Sequence, residues 1–182
     1  EIMPSLVGSE MCIRDSVRTS QGVIEELKNY GYHVIISRCG HTFIKEAMRK
    51  HKAVFGFETS GHYYFRSFKY FDNAFIAITK ILSILSKGRD LKRESERFRY
   101  YGFIGEVNIE TRNKERFLYM LKKIFPNPKK ELYIDGLSLY FNDYWFNARP
   151  SNTEPVVRIR LEAKTRELGE MILREIKKMK NK

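Results

Sequence analysis

The chain has 182 residues, enough for one ordinary domain or two small ones. Its hydrophobic fraction of 42% and its aromatic content of 14% are typical of a globular protein and exclude a disordered chain. The formal net charge of +12 indicates an anionic partner, and nucleic acid, a membrane surface or a phosphorylated metabolite would each satisfy it.

The cysteines and the apolar segments indicate the cellular location of the protein. Cys12 and Cys39 have neither a disulfide framework nor a metal-binding spacing, which predicts a reducing, cytoplasmic location. No stretch approaches the ~20 apolar residues of a membrane span, and no signal peptide is visible. We therefore expect no membrane partner.

The first sixteen residues, EIMPSLVGSEMCIRDS, have neither helical nor strand periodicity. They resemble translated sequencing-adaptor sequence, the alternative being an ordinary flexible N-terminus. We predict that residues 1–16 form no part of the fold, which then begins at Val17.

Short apolar strands alternate with helices in the first half of the chain. Apolar residues at helical spacing predict helices over residues 21–30, 42–51 and 73–86, the last of them mostly buried. The runs HVIIS and AVFGFE predict buried strands, and TSGHYYF predicts a loop. This alternation is typical of an α/β three-layer domain with a parallel or mixed sheet, which we assign to residues 17–92.

The mixed charges of SKGRDLKRESERFR predict an exposed linker, with the domain boundary near Lys92. The second half has a different order of predicted strands and helices. An alternating strand, FIGEVNI, precedes a helix over residues 113–125, and the short strands ELYI, LSLYF, WFNAR and VVRIRLEA precede a final helix over residues 165–178. This order of elements predicts an α+β two-layer sandwich, with an antiparallel sheet and two helices, over residues 93–182.

The loop NARPSNTEP joins two of these strands and is rich in short polar donors. Successive backbone N–H groups in such a loop can converge on an anion. Arg149 can offer a planar fork to phosphate oxygens, a geometry that lysine does not provide. The residues by themselves also allow a polar turn with solvated arginines.

Four motifs, VRTS, GHTFIK, GFETSGHYYF and RPSNTEPVVRIRLEA, follow one another along the chain. Together they resemble the third and fourth domains of the α-D-phosphohexomutase superfamily, the phosphomannomutase/phosphoglucomutase group, over residues 17–182. The third motif resembles that family's sugar-binding loop, and the fourth resembles its phosphate-binding loop. The resemblance implies an isomerase of carbohydrate metabolism, an intramolecular phosphotransferase that interconverts hexose 1-phosphate and hexose 6-phosphate through a hexose 1,6-bisphosphate.

The resemblance also implies a role for each motif residue. Glu58 and Ser60 would hold sugar hydroxyls, and His62 would lie near the transferring hydroxyl and assist proton transfer. His41 and Arg18 would line the same cleft. The phosphate of the hexose phosphate substrate would be held by Arg149, Ser151, Asn152, Thr153 and Arg158.

Two catalytic parts of the family have no match in these 182 residues. The resemblance implies a phosphoserine nucleophile in a first-domain loop and Mg²⁺ in an aspartate-rich loop of the second domain. The chain has no T-x-S-H-N-P-like segment, and its aspartates are too scattered for a D-x-D-x-D site. We therefore expect the substrate-binding C-terminal half of a mutase, inactive by itself, whose partner is the set of missing N-terminal domains.

Two alternatives stay open. SNTEP and SGHYYF favour the phosphomannomutase/phosphoglucomutase type over phosphoglucosamine mutase, which more often has S-G-T-E-P. The other alternative is a basic nucleic-acid-binding module. No recognised nucleic-acid motif accompanies the 34 lysines and arginines, so we expect no nucleic-acid partner.

Overall fold

The computed structural model describes residues 12–179, which belong to two compact units. The first unit ends at Tyr100 and the second begins at Tyr101. This division lies beyond the boundary predicted near Lys92. The reason is that the end of the charged segment is still bonded to the first unit, where the Tyr100 hydroxyl donates to Glu26 Oε2 at 2.9 Å.

A mixed five-stranded sheet forms the centre of the first unit. Its spatial order is β2-β1-β3-β4-β5, with β1 parallel to β2 and β3, and with β3, β4 and β5 antiparallel. The strands are β1 (Cys12–Ser16), β2 (His33–Ser37), β3 (Phe55–Phe57), β4 (Tyr63–Phe65) and β5 (Phe71–Asp72). The sheet confirms the predicted α/β class, but β4 lies where the sequence predicted only a loop.

Strand β1 overturns the prediction that residues 1–16 form no part of the fold. Cys12–Ser16 pair with β2, Ile13 and Arg14 also pair with β3, and Cys12 and Ile13 are buried. Their neighbours explain this placement, because without β1 the facing backbone groups of β2 and β3 would have no strand to pair with. Residues 1–11 of the predicted leader lie outside the described residues.

Helices α1 (Gln21–Asn29) and α2 (His41–Lys50) follow β1 and β2, as the apolar spacing predicts. Ile44 and Met48 of α2 are fully buried in a small core that also contains Cys12, Ala53 and Tyr64. Gly56 of β3 lies beneath α2, since a Cβ there would be 2.6 Å from Met48 Sδ. Glycine at this position lets the helix approach the strand closely.

Helix α3 (Ala74–Ser86) forms where the sequence predicts it, with the Asn73 side chain accepting from the Ile76 N–H at 3.1 Å. It was predicted to be mostly buried, but none of its residues is, and Phe75 is 80% exposed. An apolar composition gives a helix an apolar face, but that face becomes buried only when another element packs against it. No helix within residues 12–179 is long and apolar enough to cross a membrane.

The predicted exposed linker contains a short helix, α4 (Leu91–Glu96). The Asp90 side chain accepts from the Lys92 N–H at 2.8 Å, which is the usual way for aspartate to begin a helix. All but one of its residues are exposed, in agreement with its charged sequence.

An antiparallel five-stranded sheet and two helices form the second unit, which confirms the predicted α+β sandwich. The strands, in spatial order β6-β10-β9-β8-β7, are β6 (Phe103–Glu110), β7 (Lys130–Leu132), β8 (Leu137–Tyr140), β9 (Tyr144–Pro150) and β10 (Val156–Ala163). The helices are α5 (Lys114–Ile124) and α6 (Arg166–Lys178), capped by Asn113 and Thr165. Their apolar sides share one core with Phe146, Ile159 and Leu161 of the sheet.

We expect Ile13→Asp to destabilise the first unit by more than about 3 kcal/mol, because it forces a carboxylate into a position only 5% exposed in the middle of the sheet. The matched control is Ile104→Asp on β6, where the side chain is 57% exposed and the loss should stay below about 1 kcal/mol. Urea unfolding followed by the amide signals of each unit measures both. Equal effects of the two substitutions would show that β1 contributes no stability.

Candidate functional site

Three loops of the first unit lie at one edge of its sheet. Strands β1, β2 and β3 are parallel, so their carboxyl ends meet at the same edge. Arg18 follows β1, His41 opens the helix after β2, and residues 58–62 follow β3. The topology therefore brings all five first-unit candidates, which sequence reasoning named, to a single edge.

Residues 58–62 form a tight turn between β3 and β4. The Glu58 N–H donates to the His62 carbonyl and the Gly61 N–H donates to the Glu58 carbonyl, each at 3.0 Å. Gly61 has a φ of +88°, which glycine adopts without a steric penalty. Ser60 is thus held exposed at the tip of the turn, with Glu58 and His62 at its two ends.

The Glu58 carboxylate is buried and joins three segments. Its Oε1 accepts from the Gly40 N–H at 2.7 Å, and its Oε2 accepts from the Tyr64 hydroxyl at 2.9 Å. Gly40 immediately precedes His41, so Glu58 fixes the start of α2 and with it the position of that histidine. Each carboxylate oxygen keeps a second lone pair that could accept from a sugar hydroxyl.

Tyr64 is a part of this arrangement that sequence reasoning did not assign. Its side chain is fully buried, and burial together with the hydrogen bond to Glu58 raises the pKa of the Tyr64 hydroxyl far above its ordinary value. The hydroxyl therefore stays protonated and remains a donor to Glu58 at any physiological pH.

Asp72 is a second residue that the sequence did not reveal. Its Oδ2 lies 2.6 Å from His62 Nδ1, and its Oδ1 accepts from the Tyr63 N–H at 2.9 Å. Burial acts to raise the pKa of Asp72, but hydrogen bonds from His62 and from the Tyr63 N–H, with the nearby charge of Lys45, lower it overall. An ionised Asp72 accepts a hydrogen bond from the Nδ1–H of His62, which leaves Nε2 as the acceptor of the neutral ring.

Two arginines of the second unit face each other across neighbouring strands. Arg149 of β9 and Arg158 of β10 are directly opposite in the antiparallel register, so their side chains leave the same face of the sheet. Arg149 Nη1 donates to Asp135 Oδ2 at 3.3 Å, and Arg158 Nη2 donates to Glu154 Oε2 at 2.7 Å. Like charges in this position repel each other unless an anion lies beside them.

The loop between β9 and β10, which joins the strands of these two arginines, carries two hydroxyl groups. The Ser151 N–H donates to the Val156 carbonyl at 2.9 Å, and Ser151 Oγ lies 3.5 Å from Thr153 Oγ1. Asn152 and Thr153 are exposed, and the Ser151 carbonyl accepts from Lys114 Nζ. All five predicted second-unit residues therefore belong to one hairpin.

The turn before β8 supplies the carboxylate beside Arg149. Asp135 and Gly136 both have positive φ, at 53° and 99°, and a Cβ on Gly136 would be 2.3 Å from the Ala148 carbonyl oxygen. Only glycine allows the turn to press this closely against β9. Asp-Gly is a common turn sequence, but the pairing of Asp135 with Arg149 depends on the order of the strands.

Among residues 12–179, no group of three or more His, Cys, Asp or Glu side chains lies together in a way that could hold a metal ion. The donors in this part of the chain therefore do not fit Mg²⁺.

Two family descriptions match the chain in succession. The "Phosphoglucomutase/phosphomannomutase, alpha/beta/alpha domain III" matches residues 6–101, and the "Phosphoglucomutase/phosphomannomutase, C-terminal domain" matches residues 106–179. The first match includes the strand β1. The chain therefore belongs to the phosphoglucomutase/phosphomannomutase family, represented here by its third and C-terminal domains.

Individual relatives agree with this assignment. The chain is 35% identical to a phosphomannomutase of Methanocaldococcus jannaschii over 90% of its own length and 36% of the relative's, and 35% identical to a Vibrio cholerae phosphomannomutase over 81% and 33%. A family protein of Burkholderia thailandensis has the same fold, with a TM-score of 0.78 at 23% identity over 94% of this chain and 38% of that one. The chain thus spans about a third of the length of the relatives it matches.

The Asp72–His62 contact predicts which nitrogen of the imidazole carries the proton. At a pH of about 8.5, where an ordinary histidine is neutral, we expect the Nδ1–H form to predominate in the native chain and to become a minority in Asp72→Ala, which has no acceptor. Asp72→Asn is the matched control, because its amide oxygen can still accept from Nδ1. The nitrogen chemical shifts of the His62 ring distinguish the two forms. An unchanged Nδ1–H form in Asp72→Ala would contradict this role for Asp72.

Proposed function

We propose that this chain is the substrate-binding C-terminal part of a phosphohexomutase that interconverts hexose 1-phosphate and hexose 6-phosphate through a hexose 1,6-bisphosphate. The observation that carries the proposal is the register pair Arg149 and Arg158 at the base of a loop of hydroxyl donors. Family membership supports it, since the relatives compared above are named phosphomannomutases.

The phosphate group of the substrate is bound by the β9–β10 hairpin in this proposal. A phosphate dianion accepts forked hydrogen bonds from guanidinium groups, which are stronger and more directional than contacts with a neutral acceptor. It would take the place of the carboxylates that now contact the two arginines, while Ser151, Asn152 and Thr153 supply further donors. This arrangement holds a phosphate without contacting the carbon to which it is attached, so either end of the bisphosphate is acceptable.

The sugar is bound by the turn between β3 and β4. Glu58 accepts hydrogen bonds from sugar hydroxyls through its remaining lone pairs, and Ser60 adds a donor and acceptor at the exposed tip. His62 Nε2 accepts the proton of the hydroxyl that receives the phosphoryl group and returns it in the reverse direction. His41 and Arg18, at the same sheet edge, contribute a donor and a positive charge.

The remaining catalytic parts belong to the rest of the enzyme in this proposal. We infer that the partner of this chain is the N-terminal portion of the same protein, in the cytoplasm, and that the phosphoryl donor and Mg²⁺ are bound there. The mannose or glucose type is favoured over the phosphoglucosamine type because the more similar relatives are phosphomannomutases.

Arg149→Lys tests the phosphate role. The substitution keeps the charge but removes the planar fork, so the binding free energy for mannose 6-phosphate should weaken by about 1–3 kcal/mol. The measurement is a titration of the full chain followed by the amide shifts of residues 151–153.

Arg166→Lys on α6 is the matched control, because its side chain is 78% exposed and follows the end of β10 that lies away from the phosphate loop, and it should leave the affinity unchanged. The proposal fails if the shifts cluster on the lysine-rich end of α6 and Arg149→Lys does not alter them.

We further expect the 182-residue chain to bind a hexose phosphate without turning it over. Phosphoryl transfer requires a donor aligned with the acceptor hydroxyl, and these residues contain no segment resembling the family's phosphoserine loop. A coupled mutase assay with Mg²⁺ and a hexose 1,6-bisphosphate, on protein purified from a host lacking its own mutase, measures this. Turnover under these conditions would show that the chain has its own phosphoryl donor.

A further inference from the structure

Lys114 is a cation beside the phosphate loop that neither sequence reasoning nor the family comparison assigns. Its ammonium group donates to the carbonyl of Ser151, the first residue after β9. Arg149 and Arg158 each contact a carboxylate, whereas no carboxylate in the part of the chain that the structure describes pairs with Lys114. The two arginines and their two carboxylates cancel in formal charge, so Lys114 supplies the excess positive charge at this loop.

The position of Lys114 is fixed from both sides. It is the first residue of α5, whose start is set by the Asn113 side chain accepting from the Arg116 N–H at 2.8 Å. The preceding turn is tied to the exit of the loop, where the Thr111 N–H donates to the Pro155 carbonyl at 2.9 Å. The half-buried ammonium is therefore held against the loop by regular secondary structure.

We propose that Lys114 is an additional phosphate-binding residue of the loop formed by residues 151–153. It reaches the loop from the helix-covered face of the sheet, whereas Arg149 and Arg158 approach it from the other face. The inference rests on the proposed function, because it concerns the same phosphate. An ammonium group has three N–H donors, and only one is used by the Ser151 carbonyl. In this proposal the other two donate to a phosphate oxygen that the hydroxyls of Ser151 and Thr153 also contact.

The chemistry of the ligand explains why a third cation is useful here. A phosphate monoester carries close to two negative charges at neutral pH. Displacing Asp135 and Glu154 from the arginines leaves two carboxylates near the bound dianion, and Lys114 offsets part of the repulsion that they exert on it. A lysine serves this purpose as a compact point charge, with the forked contacts left to the arginines.

The test compares Lys114→Gln with Lys123→Gln in the full chain, titrated with inorganic phosphate and followed by the amide shifts of residues 151–153. Both substitutions remove one positive charge from α5, but Lys123 lies nine residues further along, at the opposite end of the helix. We expect Lys114→Gln to weaken phosphate binding about fivefold to tenfold and Lys123→Gln to change it less than about twofold. Lys114→Arg, which keeps the charge and the donors, should retain most of the affinity.

The outcomes separate this inference from the proposed function. If Lys114→Gln and Lys123→Gln have the same small effect while Arg149→Lys still weakens binding, Lys114 takes no part and the phosphate loop stands. If the native chain shows no shifts in residues 151–153, the proposed function itself is wrong. The spectra without phosphate show whether Lys114→Gln has disordered the loop, and a loss of affinity with an unchanged free spectrum supports direct binding. If instead the free spectrum changes and Lys114→Arg does not restore affinity, the lysine only orders the loop.

Discussion

The antiparallel register between β9 and β10 is the constraint on which the second unit depends. It sets Arg149 opposite Arg158 on one face while Ala148 stands opposite Ile159 in the core. Side chains alternate between faces along a strand, so a slip of one residue would bury a guanidinium and expose the apolar side chains that now lie beneath the helices. The burial of the core therefore maintains a pairing of like charges that would be unfavourable by itself.

In the first unit, a buried carboxylate connects the elements that carry the candidate residues. Glu58 receives one hydrogen bond from the start of α2 and another from β4, so a single side chain ties the turn of residues 58–62 to the helix that carries His41. Asp72, on the edge strand β5, holds His62 in place through the contact between its carboxylate and the imidazole Nδ1. The residues proposed to meet the sugar are thus oriented by neighbours that are themselves bonded to regular secondary structure.

Helices with clear apolar spacing were predicted well, because their pattern reflects the local geometry of the chain. The sequence pattern did not predict β1, because Arg14 and Asp15 interrupt any strand periodicity. This strand forms because β2 and β3 pair with it on its two sides. It also failed for the burial of α3, which depends on neighbours that its own composition cannot specify.

The candidate site shows the same division between local and non-local information. Motif resemblance named Glu58, His62 and Arg149, whereas the partners of these residues depend on contacts between segments. Asp72 meets His62 only because β4 and β5 pair, and Asp135 meets Arg149 only because β8 lies beside β9.

The exposed apolar side of α3 has a consequence for how copies of this chain interact in solution. The exposed apolar stripe of α3 includes Phe75, Leu82 and Leu85, and the formal net charge of the chain is +12. At low ionic strength the long-range repulsion between like-charged copies keeps these stripes apart. Salt shortens the range of that repulsion to about 10 Å at 0.1 M, while strongly hydrated anions such as sulfate strengthen apolar association. Colloidal stability should therefore be greatest in dilute buffer and decline as sulfate is added.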